Sequence, residues 1–189
     1  FLRTDPQDNG YARPIEGLLV HFDLGHSGAI LAWRHFHPDT EIPALLHYVE
    51  DQDMWTWKLA NSEEINAAIG SHPRSFEVWD RLAASPVEQL AAEGVPIVRA
   101  QRIEVDQALR HTHPISLGRI RVEAVDSRCH RSRIGHELAS RARYGTPCGV
   151  VYRLIGTQVD ISIYSVDDFD VSKLAAEFGG GGHPNASGF

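Results

Sequence analysis

From His113 onward the chain is written in short β-branched runs separated by helical patterns, and that order limits what it can fold into. "ISLGRIRVEAVD" (115–126) and "CGVVYRLIG" (148–156) carry the residues of strands, and "QVDISIYSV" (158–166) alternates Val159, Ile161 and Ile163 with polar neighbours. Between the first two runs, "SRIGHELASRAR" places Ile134 and Leu138 four apart and predicts a helix. After the third, "DFDVSKLAAEFGGGG" predicts a helix entered through Asp168 or Asp170 and ended by glycine. Strand, helix, strand, strand, helix, glycines predicts a compact α/β unit around a mixed sheet.

Upstream of residue 110 the texture is helical. "LGHSGAILAWRHFH" (24–37) spaces Ile30, Leu31, Trp33 and Phe36 near one helical face and ends at Pro38-Asp39. "IPALLHYVEDQDMWTWKL" (42–59) begins as an apolar helix and turns into an acidic, aromatic loop. "NSEEINAAI" predicts a helix capped by Ser62, with Glu63 and Glu64 in its first turn. Residues 75–110 read as two more helices, the second long and charged enough to connect domains. The expected division is a mostly helical part over 1–92, a connecting helix over 93–111 and an α/β domain over 112–189.

Composition narrows the setting. A charged fraction of 23% and an apolar fraction of 42% are ordinary for a soluble globular chain, and no apolar run is long enough for a membrane span. The opening "FLRTDPQDNG" lacks a signal-peptide layout, and Cys129 and Cys148 form neither a disulfide framework nor a zinc motif, which points to a reducing, cytoplasmic setting. Both thiols are expected to be buried and inert. The net charge of -7 argues against a general nucleic-acid coat protein. Locally, however, Arg119, Arg121, Arg128, Arg131, Arg133, Arg141 and Arg143 face only Glu123, Asp126 and Glu137, which suits a small anionic ligand. The ends of the chain read as those of an excised segment.

The glycine run Gly179, Gly180, Gly181 and Gly182 exceeds what a helix C-cap needs, because one glycine suffices there. Bare backbone lets a ligand approach closely, with N–H groups turned toward an anion, and His183 would add a hydrogen-bond donor at the same place. Ser132 and His136 stand where a helix N-terminus could favour phosphate, although capping explains Ser132 equally well. The spacing of His21, His26, His35, His37 and His47 matches no standard ligand pattern, so these read as surface or packed residues. Trp55, Trp57 and Trp79 could stack bases, but anchoring a small core is the expected role.

"VDDFDVSKLAAEFGGGGHPNASGF" (166–189) resembles the closing signature of the domain that accompanies the DHH phosphoesterases. "HFDLGHSGAILAWRHFHP", "LLHYVEDQDMWTWKLANSEEINAAI" and "FEVWDRL" are similar to the oligoribonuclease and cyclic-nucleotide phosphodiesterase-like branch of that family. The resemblance implies a two-lobed α/β phosphoesterase: a lobe holding two divalent ions, manganese or magnesium, and a smaller lobe gripping substrate, with the glycine-histidine loop facing the cleft between them. It implies as partner a short oligonucleotide or a linear or cyclic dinucleotide, no membrane, and compatibility with a homodimer.

Carried over residue by residue, the resemblance assigns Asp51, with Asp53 as the rival, to a metal. No Asp-His-His triplet occurs, and the matching region would precede Phe1, so these 189 residues alone are expected to be inactive. Tyr164, in "ISIYS", stands where the family pattern carries an arginine; it supplies a hydrogen bond and a stacking face but no charge. Phosphate grip would then shift to Arg128, Arg131 or Arg133, beside Gly179 to Gly182 and His183. Two other readings remain open at this point: a non-catalytic nucleotide-binding module, since a related glycine-rich domain ends alanyl-tRNA synthetases, and a polyphosphate or pyrophosphate hydrolase.

Overall fold

The computed structural model describes residues 10–15 and 17–189. The opening "FLRTDPQDN" lies outside the described residues. Chain packing divides into two units, Phe1–Arg99 and Ala100–Phe189, and the division falls inside a helix.

The first unit opens with an antiparallel pair, β1 (Gly10–Ile15) and β2 (Leu18–Phe22), in the part that the sequence reads as mostly helical. Four helices follow: α1 (Gly28–Phe36), α2 (Ala44–Asp53), α3 (Ser62–Ser71) and α4 (Phe76–Ala84). Ser27 and Ser75 cap α1 and α4, each hydroxyl accepting from an amide three residues on, from Ile30 and Val78. Ser62 does not cap α3. Asn61 takes that position in a left-handed conformation, and the Ser62 hydroxyl is spent on Asp51. Leu45, Ile65, Ala68, Ile69, Leu82, Leu90 and Ala91 form the core, with Trp79 packed against it. Complete burial of each large aliphatic side chain stabilises by about 1.5–3 kcal/mol.

The long helix α5 (Val87–Leu109) runs from the first unit into the second and contains Pro96. Gly94 is required on it: a Cβ there would stand 1.8 Å from the Glu64 carbonyl oxygen.

The second unit is a mixed six-stranded sheet in the order β3-β4-β5-β6-β8-β7. The run read as one strand over 115–126 is a hairpin, β3 (His113–Leu117) and β4 (Ile120–Asp126), turning at Gly118 with φ +58°. α6 (Arg131–Arg141) crosses over to β5 (Cys148–Ile155), which pairs parallel with β4 and antiparallel with β6 (Gln158–Ser165). α7 (Val171–Glu177) is capped by Asp170, and two short strands, β7 (Gly181–His183) and β8 (Ala186–Gly188), complete the sheet. The α/β class expected from the strand and helix order is what these elements form.

Both faces of the sheet are covered, which explains the β-branched runs on its central strands. Leu117, Val122, Ala124, Cys148, Val150 and Ile163 pack against Val171 and Ala175 of α7. Val125 and Val151, from the alternate positions, pack against Ile134 and Leu138 of α6 and Val105 and Leu109 of α5. Burial pushes the Cys148 thiol up to about 12, so it is inert, whereas Cys129 is exposed rather than buried as the sequence suggested.

Candidate functional site

In the first unit the chemistry gathers at the C-terminal end of α2. Asp51 is 5% exposed, and its carboxylate organises the loop that follows. One oxygen accepts from the Thr56 hydroxyl and from the Lys58 amide at 2.9 Å; the other accepts from the Leu59 amide at 3.2 Å. The Ser62 hydroxyl adds a fourth donor. Burial alone would raise the Asp51 pKa, but these hydrogen bonds outweigh it and hold the carboxyl at about 2. Neighbouring Glu50 reaches back to α1, accepting from the Ser27 amide at 3.0 Å and pairing with His26 Nδ1 at 3.0 Å. Asp53 is exposed at the helix end.

This arrangement bears on the expected metal. A two-metal centre needs several carboxylates and imidazoles converging on one volume. Among the described residues no three His, Cys, Asp or Glu side chains form such a group, and Asp51 has its lone pairs occupied by its own loop. The described residues therefore do not fit a pair of divalent ions by themselves.

The loop itself departs from the expected picture. Trp55 and Trp57 do not anchor the core; they are 37% and 36% exposed, edge to face with ring centroids 5.1 Å apart. Trp79 alone of the three packs against the core.

In the second unit the glycine run separates into residues that the fold requires and one that it does not. Gly179 has φ +82° and ends α7: its amide reaches the Ala176 carbonyl, and the Gly180 amide reaches that of Ala175. A Cβ on Gly180 would stand 2.1 Å from the Gly188 carbonyl oxygen. On Gly182, with φ +148°, it would stand 2.6 Å from the Ala186 carbonyl oxygen. Gly181 has neither a positive φ nor any atom within 4 Å of where its Cβ would be. It is exposed on β7, the outer strand of the sheet.

Register then shows which predicted residues come together. His183 lies opposite Ala186, and Ala186 lies opposite Tyr164, so both longer side chains rise from the same face across a single methyl group. Gly181, two residues from His183 on the strand, opens on that face too, in line with Gly188 and Ser162. The Tyr164 ring packs on α6 at Gly135, and its hydroxyl accepts from the Ser132 hydroxyl at 3.4 Å. Gly181, His183, Tyr164 and Ser132 thus share one side of the sheet: small residues for a floor, with imidazole, phenol and hydroxyl donors around it. The set can bind an anion or a planar ring but contains no nucleophile-base pair.

The arginines divide differently. Arg131 is committed to the fold: Nη1 donates to Asp160 Oδ2 at 2.8 Å, and Nη2 donates to the Val151 and Asp160 carbonyls at 3.5 and 3.4 Å. Asp160 also accepts from Arg153 Nε at 2.7 Å. Arg128 is exposed beside a cleft lined by Arg153, Leu154, Ile155 and Gly156. Arg133 lies on the first turn of α6, partly covered. The commitment of Arg131 and the exposure of the two tryptophans are not legible from spacing, because both depend on partners distant in sequence or on loop conformation.

No family model matches the chain. An uncharacterized protein of Acanthamoeba polyphaga mimivirus is 28% identical over 174 residues, which cover 88% of this chain and 41% of that protein. The chain therefore spans well under two thirds of that relative's length. Among solved structures, a pGpG-specific phosphodiesterase from Vibrio cholerae aligns over 86% of this chain and 67% of its own, at 10% identity and a TM-score of 0.43. An exopolyphosphatase-related protein from Bacteroides fragilis aligns over 61% of this chain and 38% of its own, at 20% identity and a TM-score of 0.29. The DHH domain of a member of a family of ribosomal proteins aligns over 76% and 36%, at 15% identity and a TM-score of 0.35.

Proposed function

We propose that this chain is part of a DHH-type phosphoesterase that hydrolyses phosphodiester bonds in short oligonucleotides or dinucleotides, and that its second unit is the substrate grip. The observation that carries the reading is Gly181. Three of the four glycines serve the fold, and the fourth, exposed and unconstrained, keeps a side chain out of the space in front of the outer strand. His183, Tyr164 and Ser132 border the same space and supply uncharged or weakly basic donors suited to a phosphate ester. The resemblance of 166–189 and of the "YVEDQDMW" stretch to DHH phosphoesterases supplies the reaction class.

This reading calls for a pair of manganese or magnesium ions; Asp51 would serve as one ligand only by exchanging donors of its own loop for the metal, and the described residues hold no cluster of three ligands. Such ions would supply polarisation of the phosphate and activation of water. This chain's own contribution is to hold and orient the ester. The test is release of mononucleotides from a di- or trinucleotide by the complete protein with manganese. Absence of hydrolysis of any phosphodiester or phosphate anhydride by a protein that binds manganese overturns the reaction.

A second reading has one observation in its favour. The saturation of Asp51 by its own loop suits a nucleotide-binding module without metal chemistry. Calorimetric titration separates the two: two-site manganese binding supports the enzyme, and nucleotide binding indifferent to metal supports the module. The soluble, cytoplasmic setting also remains part of the proposal; among the described residues no helix is long and apolar enough to cross a membrane.

A further inference from the structure

The loop between α2 and α3 holds three non-glycine residues in the left-handed region: Trp55 at φ 56°, Trp57 at φ 50° and Asn61 at φ 56°. Asparagine tolerates that conformation, but for a bulky side chain it is a strained outlier. Trp55 ends α2 in a recognisable way. Its amide reaches the Gln52 carbonyl at 3.0 Å, and the Thr56 amide reaches the Asp51 carbonyl at 2.9 Å. This is the pair of bonds that ends α7, where the chain places Gly179 in the equivalent position. Glycine is thus the ordinary occupant, and the same protein uses it elsewhere. Capping does not explain an indole there.

Core packing does not explain it either. Trp55 and Trp57 keep more than a third of their surface exposed. What fixes them is the buried Asp51 carboxylate, whose hydrogen bonds go to Thr56, Lys58, Leu59 and Ser62 on both sides of Trp57. A buried carboxylate, a left-handed backbone and two partly exposed indoles in an edge-to-face pair together describe a preorganised aromatic surface. Strain of this kind persists where the surrounding structure enforces it, and it clusters at ligand clamps.

We propose that Trp55 and Trp57 form a stacking platform for a nucleobase. This rests on the nucleotide reading above and deepens it, because a base-free polyphosphate has nothing to lay on an indole face. Base–aromatic stacking is worth about 1–3 kcal/mol per base, or roughly 5- to 150-fold in affinity.

The experiment uses the complete protein without added metal, titrated with the dinucleotide pApA and, as the base-free control, with tripolyphosphate. Tryptophan fluorescence is expected to be quenched by pApA and unchanged by tripolyphosphate. The variants Trp55→Gly and Trp57→Gly relieve the left-handed strain, so each is expected to keep or raise the melting temperature while weakening pApA binding about 5- to 150-fold. Unchanged pApA affinity in both variants overturns the platform, and so does equal quenching by tripolyphosphate. A fall in melting temperature in both variants, with affinity intact, would make the indoles packing residues and also overturn it. Hydrolysis assayed in parallel keeps the two proposals apart: wild-type hydrolysis with an unchanged KM in both variants sinks the platform alone, and quenching without hydrolysis sinks the phosphodiesterase alone.

Discussion

The ring of Tyr164 lies flat enough against α6 that a single methyl group on Gly135 would stand 2.0 Å from its Cδ2. Helix and strand meet at that point only because residue 135 has no side chain, and the Tyr164 hydroxyl is thereby brought to Ser132. Gly135→Ala is expected to destabilise the protein by about 1–3 kcal/mol through overpacking, despite alanine's better helix propensity. Tyr164→Ala should remove most of that penalty. A double-mutant cycle in urea checks it: coupling near zero would mean that the two residues do not meet.

The glycine run offers a sharper separation. Gly180→Ala and Gly182→Ala each drive a methyl into backbone of the 186–188 strand and should lower stability by about 1–3 kcal/mol. Gly181→Ala meets open space and should leave the melting temperature within about one degree of wild type. If Gly181 is kept bare for the ligand, that same variant weakens nucleotide binding. Thermal melts beside pApA titrations of the three variants distinguish a fold role from a binding role at each position.

These two sites show what can be read from residues alone. The strands at 148–156 and 158–166 and the helix at 132–143 follow from period and β-branching, since a sheet buried on both faces leaves that pattern. The hairpin at Gly118 is hidden because its two-residue turn interrupts a continuous β-branched run without a Pro or Asn to mark it. β7 is hidden because a three-residue strand of Gly181, Gly182 and His183 carries no strand signal; backbone approach makes it, as Gly180 and Gly182 show. In the candidate site, the glycine-histidine motif itself is legible in the sequence. Which glycine is free of the fold can be decided only once the neighbours of each are known.

The arginines predict different phenotypes. Arg131 is 16% exposed and shares Asp160, itself 35% exposed, with Arg153, so Arg131→Ala removes one of two cations from that carboxylate and empties a mostly buried guanidinium site. Loss of stability by about 1–3 kcal/mol is expected, with little change in the salt dependence of nucleotide binding. Arg128→Ala removes an exposed cation from the cleft rim and should leave stability within about 0.5 kcal/mol of wild type. If Arg128 contacts a ligand phosphate, the variant lowers affinity and flattens the salt slope by about one unit. Melting curves and titrations at two salt concentrations decide between the roles.

Asp51 links the loop to pH with a definite sign. Burial disfavours its carboxylate, but four donors outweigh burial, and the folded pKa of about 2 lies below the ordinary 3.8. A depressed carboxylate contributes stability that is fully present above the unfolded value and is lost as pH falls through the folded one. The window is therefore from about pH 4 down to about pH 2, and the contribution at stake is on the order of 2 kcal/mol. Because the donors sit at 56, 58, 59 and 62, protonation should release the loop that carries Trp55 and Trp57 before the rest of the unit responds. Tryptophan emission is expected to shift in that window ahead of the far-ultraviolet circular dichroism. Asp51→Asn, which puts an amide group among donors, should be destabilised at neutral pH and lose the acid transition of the emission. Coincident transitions in wild type and variant would show that Asp51 is not what fixes the loop that carries the indoles.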